Sequence, residues 1–298
     1  MLRYIIRNRW LYVMMLPGIV FFLIFKYLPM WGVLIAFQNY QPFLGFSGSE
    51  WVGFAHFERF FSSPDFWLLT RNTLILAMLN LVFFFPAPII IALMLNEVRI
   101  GVVKRFIQTI IYIPHFFSWV VIIGIVYMFF SSQYGIVNQV IASLGGNTID
   151  VFTNPSMFRP MITLEVIWKE TGWGTIIFLA ALAGVNAELY EAARIDGANR
   201  WRQLIHITLP AIRSTIVILF ILRLGHFLDT GFEQIFLMLN ALTQHVGDVY
   251  DTYVYRAGIT QGQFSYSTAV GLFKSLVGLA LVAMANYLAR LFGEEGIY

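Results

Sequence analysis

The sequence predicts an all-α, polytopic membrane protein with six transmembrane helices, on three observations. Hydrophobic residues fill 59% of the 298 positions and charged residues only 12%, where a soluble domain carries roughly a quarter charged. The apolar residues fall into six runs, each long enough to cross about 30 Å of hydrocarbon as a helix. Phe (29), Tyr (14) and Trp (8) are abundant, as packing against lipid and at its two interfaces requires. The absence of Cys rules out disulfides, thiolate metal sites and cysteine nucleophiles.

The first run, Trp10 to about Phe37, follows Arg3, Arg7 and Arg9 and is interrupted by Lys26 and Pro29. It exceeds the apolar core of a cleaved signal peptide and has no small-residue cleavage site, so it reads as a retained first helix. Residues 38–70 are aromatic, contain Gly and Ser, and carry Glu50, Glu58 and Asp65, which suits a loop with a short interfacial helix. The second span, Asn72 to Leu95, contains Pro86 and Pro88. Proline is tolerated in a membrane helix where a kink or a neighbour satisfies the freed carbonyls. A short connection with Glu97, Arg99, Lys104 and Arg105 leads to the third span, Phe106 to Phe130. Residues 131–157, with Gly145-Gly146 and Asn154-Pro155, form a polar link to the fourth span, Phe158 to Leu182. The polar stretch 183–210, the fifth span Ala211 to Leu239, a polar loop 240–265 and the sixth span Tyr266 to Phe292 complete the chain. Without internal repeats or low-complexity tracts, residues 1–298 read as a single transmembrane domain.

Orientation follows from basic residues in short loops. One side collects Arg3, Arg7, Arg9, Arg99, Lys104, Arg105, Arg194, Arg200, Arg202, Arg213 and Arg290; the other holds Arg59, Arg71, Arg159 and Arg256. Eleven against four puts both termini and the 183–210 connection in the cytoplasm.

That connection is organised. Residues 187–210 read AELYEAARIDGANRWRQLIHITLP, two short helices joined by a turn. Strong helix formers run from Glu188 to Arg194, and Asp196-Gly197 supplies a left-handed end. Ala198 to Ile207 resumes helical periodicity, and Pro210 stops that helix or opens the next. The small Ala192, Ala193, Gly197 and Ala198 allow another surface to approach, with Arg194, Arg200 and Arg202 at the rim. Such a polar hairpin between spans suits docking of a soluble partner.

Glu191-Ala192-Ala193, three residues, Gly197, nine residues and Ile207-Thr208-Leu209-Pro210 resemble the EAA loop of permease subunits in ABC importers. The whole chain resembles carbohydrate permeases of the maltose-transporter type, with most likeness to the subgroup that takes up oligosaccharides derived from polysaccharides. Trp168-Lys169-Glu170-Thr171-Gly172-Trp173, Gly231-Phe232-Glu233-Gln234, Asp251-Thr252-Tyr253-Val254-Tyr255-Arg256 and Gly293-Glu294-Glu295-Gly296 carry that likeness. The resemblance implies a type I ABC importer permease fold in the bacterial inner membrane. It implies as partners a second homologous permease, two cytoplasmic ATPase subunits and an extracytoplasmic solute-binding protein. It implies ATPase docking through Glu188, Glu191, Ala192, Ala193, Asp196, Gly197, Arg200, Leu209 and Pro210, with ATP and Mg held by the ATPases and no cofactor in this chain. Gly197 would let the chain turn and Glu191 would orient the loop or meet an ATPase cation. Leu209-Pro210 would pass the motion into the fifth span.

Charges within the spans mark a second candidate site. Lys26, Glu165, Lys169, Glu170, Arg223, Asp229, Glu233 and Lys274 would each cost about 2.5–3.5 kcal/mol at a helix centre, so they should face protein or water. Glu165, Lys169 and Trp173 share one helix face, with Glu165 and Lys169 in the favourable order for an ion pair. Asp229 and Glu233, four apart, call for a cation such as Arg223 or Lys274. One reading is structural ion pairing. The other is a sugar path formed by Trp168, Lys169, Glu170, Trp173, Arg223, Asp229, Glu233 and Lys274, with an indole stacked on a pyranose face. Tyr127, Phe227 and Phe232 are further candidates for its lining.

Catalytic signatures are missing. There is no Gly-x-x-x-x-Gly-Lys-Ser/Thr loop, no His-Glu-x-x-His and no Gly-x-Ser-x-Gly. The histidines His56, His115, His206, His226 and His245 have no ligand spacing. The chain is therefore expected to be a transporter subunit rather than an enzyme. An ion-coupled carrier using His226, Asp229 and Glu233 is the alternative, although paired repeats and broken helices are not evident.

Overall fold

The computed structural model describes residues 7–291; Arg3, Phe292 and the Gly293–Gly296 stretch lie outside them. In chain order the helices are α1 (Arg9–Phe37), α2 (Ala55–Ser62), α3 (Pro64–Glu97), α4 (Gly101–Phe116), α5 (Trp119–Phe130), α6 (Ile136–Ser143) and α7 (Pro155–Ala183). They continue as α8 (Ala187–Ile195), α9 (Arg200–Ala211), α10 (Arg213–Gly225), α11 (Phe232–Met238), α12 (Tyr250–Tyr255) and α13 (Phe264–Leu291). Among the described residues α1, α3, α7 and α13 are each long and apolar enough to cross a membrane. The bent pairs α4–α5 and α9–α10 raise the number of candidate crossings to six. A two-residue antiparallel pairing, Gln38 opposite Trp51 and Asn39 opposite Glu50, lies between α1 and α2.

Proline explains how three of these helices stay continuous. A proline lacks the N–H of its own turn, and its ring crowds the carbonyl four residues back. Helix α1 widens to a π turn at Leu23–Tyr27 before Pro29, α3 at Asn80–Phe84 before Pro86, and α9 at Leu204–Thr208 before Pro210. In α3 the Phe85 amide reaches back five residues to the Asn80 carbonyl at 3.0 Å. The wider turn moves the crowded carbonyl aside and keeps the backbone paired. Lys26 and Pro29 therefore do not interrupt the first helix.

Two predicted spans are corrected. The third is not one helix from Phe106 to Phe130, because α4 and α5 meet at 104°. Ile113–Phe116 tightens into a 3-10 turn around Pro114, Phe117 is extended, and the Ser118 hydroxyl accepts the Val121 amide at 3.4 Å to start α5. The fifth does not run from Ala211 to Leu239: α10 ends at Gly225, and Gly231 at φ +92° precedes the short α11. The first break lies in apolar sequence, where hydropathy alone does not register it, whereas the second coincides with the polar His226, Asp229 and Thr230 and with Gly231.

The chain divides into two compact units. One comprises the residues up to Phe66 together with Tyr253–Phe273. Its core joins Ala36, Phe57 and Ala269, and the Tyr253 hydroxyl donates to Asp65 at 3.0 Å. The other comprises Trp67–Thr252 and the residues from Lys274 onward. Its main core unites Leu76, Phe158, Ile162, Ile235, Met238 and Val249, and a second cluster holds Ala92, Phe178, Leu182 and Ile212.

Helix α7 is central to this second unit. It packs along α3, where Gly174 faces the Pro88 ring, and it crosses α4 so closely that a Cβ on Gly172 would fall on the Ile111 carbonyl oxygen. Backbone cannot swing aside as a side chain can. Gly172→Ala should therefore destabilise the assembled protein by about 1–3 kcal/mol, the usual range for overpacking. A thermal melt of the detergent-purified complex checks this, and an unchanged midpoint would contradict so tight a crossing.

Candidate functional site

The hairpin Ala187–Pro210 is built as the sequence predicts. The Asn186 side chain caps α8 by accepting the Glu188 amide at 2.9 Å. At the other end Gly197 N donates to Arg194 O at 3.1 Å and Ala198 N to Ala193 O at 2.8 Å. This paired closure needs a left-handed residue, and Gly197 supplies it with φ +76°. Asn199 then caps α9 through the Arg202 amide at 2.9 Å, and Tyr190 and Thr208 join the two arms through their hydroxyls at 3.0 Å. Arg200 pairs with Glu97 at the end of α3.

Glu188, Glu191, Ala192, Asp196, Gly197 and Pro210 are exposed, while Ala193 and Leu209 are half-buried. Glu191 has no ion pair among the described residues. A side chain on Gly197 would meet no atom within 4 Å. Leu189, Ile195 and Trp201 are 52%, 87% and 69% exposed, a large apolar outlay for a short polar hairpin.

Only part of the predicted sugar path is brought together. Lys169 is buried, and its Nζ donates to the carbonyls of His115 and Phe117, both at 2.7 Å. Those oxygens lie at the α4–α5 break, where the chain supplies no helical partner. Glu170 meets His115 Nδ1 at 2.8 Å, and the Trp173 indole stacks on the same imidazole with ring centroids 4.6 Å apart. Arg223 is half-buried and lies 5.2 Å from the Phe84 ring centroid. Lys274 bridges Asp229 at 2.5 Å and Asp251 at 2.6 Å, while His226 meets Asp229 at 2.9 Å.

The predicted Glu165–Lys169 ion pair does not form. Glu165 instead accepts from the Gln234 amide at 2.7 Å, because the lysine tip is taken by the open carbonyls of the broken span. Asp229 and Glu233 do not share a helix, since the break places Asp229 before α11; Lys274 supplies the cation that Asp229 was expected to need. Glu233 is exposed and has no ion pair among the described residues. Trp168 lies elsewhere, lining a groove of about 470 Å³ with Ile90, Ile110, Ile111 and Pro114. Lys26 is exposed along α1. Tyr127 packs against Phe152, Phe227 is half-buried, and Phe232 stacks on Phe236. His115 and Asp251 escaped the sequence reading of this site. The one cue to His115 was its place after Pro114 in an apolar run.

Broken spans, a helical knob with exposed apolar side chains and ion pairs among the spans describe a multi-pass membrane protein. Residues 84–293 match the family of binding-protein-dependent transport system inner membrane components. The chain belongs to this family. It is an ABC importer permease, a non-enzymatic multi-pass component of the inner membrane, and separate subunits hydrolyse ATP. It is 60% identical over 292 residues to Protein LplB of Bacillus subtilis (strain 168), across 98% of this chain and 92% of that one. It is 57% identical over 294 residues to the polygalacturonan/rhamnogalacturonan transport system permease protein YteP of the same organism, across 99% and 92%. A solved bacterial alginate ABC transporter, in complex with an alginate pentasaccharide-bound periplasmic protein, contains a chain that superposes with TM-score 0.91. That chain is 41% identical, with 99% of each covered. The family sets aside an ion-coupled carrier.

The lysine and the tryptophan are separable by experiment. Lys169→Ala should lower the thermal stability of the complex, because it strands two backbone carbonyls at the α4–α5 break, at up to about 1–3 kcal/mol each where water cannot replace the lysine. Trp173→Ala, at a half-exposed position, should leave stability within about 1.5 kcal/mol and reduce uptake. Melting curves together with uptake in proteoliposomes check both; normal uptake by the Trp173 variant would leave that indole a packing role only.

Proposed function

We propose that the chain moves an oligosaccharide derived from a polysaccharide into the cytoplasm, as one of two homologous permeases over two ATPase subunits. A solute-binding protein delivers the sugar from outside, and both termini of the chain face the cytoplasm. ATP and Mg belong to the ATPases, and this chain needs no cofactor. The names of YteP and of the alginate transporter support a polysaccharide-derived substrate.

The observation that carries the reading is the α8–α9 hairpin, closed at Gly197 and displaying Leu189, Ile195 and Trp201. A short helix with apolar tips seats in a groove on its partner, burying those tips and leaving the charged rim in water. ATP-driven closure of the two motors then drags both hairpins together, and the permeases pass between states a few kcal/mol apart. The path for sugar runs beside Glu170, Trp173, Arg223, Asp229 and Lys274, where an indole and hydrogen-bonding charges suit pyranose faces and hydroxyls.

Gly197→Val forces a β-branched residue into the left-handed region and should abolish uptake and sugar-stimulated ATPase activity, with insertion in the membrane unchanged. Gly197→Asn, which tolerates that backbone better, should retain more activity. Full activity of the valine variant in the reconstituted importer would defeat the docking assignment. The purified chain alone should hydrolyse no ATP above a buffer blank.

A further inference from the structure

The cations of the predicted sugar path are largely committed inside the protein. Lys169 is spent on two carbonyls and Lys274 on two carboxylates, while Arg223 stacks on Phe84 within the field of Asp229 and Glu170. Of the four arginines that charge counting puts outside, Arg59 and Arg256 lie over the rings of Tyr266 and Tyr253. Arg71 and Arg159 remain, and they lie near enough to repel each other.

Neither of these two pairs with a carboxylate among the described residues. Arg159 donates from Nε to the Val246 carbonyl at 3.1 Å and from Nη2 to Asn72 Oδ1 at 2.9 Å. Arg71 donates from Nη2 to the His245 carbonyl at 3.1 Å. Asn72, fully buried, fixes the arrangement by donating to the Asp248 carbonyl at 3.0 Å. The Asp248 side chain is engaged by the Thr252 hydroxyl at 2.7 Å. Two like charges are thus held side by side by neutral acceptors. A stabilising design would put an acid between them, and a guanidinium near the N-terminal end of α7 gains nothing from that helix dipole. Each guanidinium has five N–H groups, so both keep donors unused, with Arg71 exposed and Arg159 half-buried.

We infer that Arg71 and Arg159 form an anion-reading site at the outer end of α3 and α7, which engages the carboxylate of a uronate residue in the incoming oligosaccharide. The inference rests on the oligosaccharide-import reading above. Guanidinium and carboxylate meet through two parallel hydrogen bonds, a geometry that a lysine or a neutral donor does not reproduce. A sugar whose carboxylate is esterified loses the charge and one acceptor while keeping its ring and linkage. The pair therefore sets a preference for the acid over the ester.

The test uses the complete importer in proteoliposomes, with trigalacturonate and its methyl ester as probes. The readout is the ratio of acid to ester uptake, compared between wild type and variants so that selection by the shared binding protein cancels. Arg71→Gln and the double variant Arg71→Gln/Arg159→Gln should lower the ratio about tenfold for each guanidinium removed, the equivalent of about 1.4 kcal/mol. Ester uptake should hold steady. Arg159→Lys, which keeps the charge and disturbs the Asn72 side chain least, should retain part of the preference. A variant ratio equal to wild type would overturn the assignment. Equal loss of both substrates, with weaker capture of the loaded binding protein, would overturn it in favour of a protein-docking role. Wild-type transport of neutral oligosaccharides but of neither probe would overturn the acidic-substrate inference and leave the importer reading standing. Failure with every oligosaccharide would remove both.

Discussion

A backbone polar group in hydrocarbon must find its partner within the protein, and this requirement decides where the chain bends and which side chains it needs there. Three prolines are absorbed within their helices by π turns, so α1, α3 and α9 continue without outside help. Pro114 is handled differently. The chain stops being helical after Phe116, and the carbonyls of His115 and Phe117 are met by Lys169 from α7. The lysine is thus explained by a break in another helix and not by its own neighbours in sequence. The close crossing at Gly172 follows, since a lysine tip reaches those oxygens only if α7 runs hard against α4.

Most of the intramembrane charges are engaged by other groups of the protein. Lys274 lies between Asp229 and Asp251, and the buried Lys169 is held by its two carbonyls. Glu170, Trp173 and His115, like Asp229, keep exposed faces. Trp173 is 48% exposed although it stacks on His115. On the proposed sugar-path reading, this exposed indole face is what a sugar ring would meet.

Much of the architecture was legible in the sequence. Run length gave the approximate number of crossings, and Asp196-Gly197 announced the hairpin closure that φ +76° confirms. Breaks inside apolar runs were not legible, because hydropathy adds residues without regard to backbone direction. Pairing was not legible either. Glu165 and Lys169 had ideal spacing on one face, yet tertiary partners took both. The separation of Trp168 from Trp173 was available from helix geometry alone: five residues at 100° each leave them about 140° apart, so one indole joins His115 while the other faces Ile90 and Ile110. The Arg71–Arg159 pair lies 88 positions apart in sequence and only the fold assembles it.

The hairpin's route into the membrane can be chosen by magnitude. Arg200–Glu97 connects it to α3, but both side chains are 61% exposed. An ion pair in water contributes at most about 1 kcal/mol, too little to drag a helix. Covalent continuity is stiffer: α9 stays helical through Pro210, with Thr208 buried against Tyr190, until the chain turns by 59° at Ile212. Ile212 is fully buried among Ala92, Phe178 and Leu182, which belong to α3 and α7. A residue locked there cannot translate without its neighbours, so it acts as a fulcrum. On the docking reading proposed above, a push on α8 and α9 would become rotation of α10 about that point, with Arg223 near its far end above Phe84. Motion at a soluble motor would thereby reach the half-buried Arg223, and the exposed ion pair need only keep the hairpin in register.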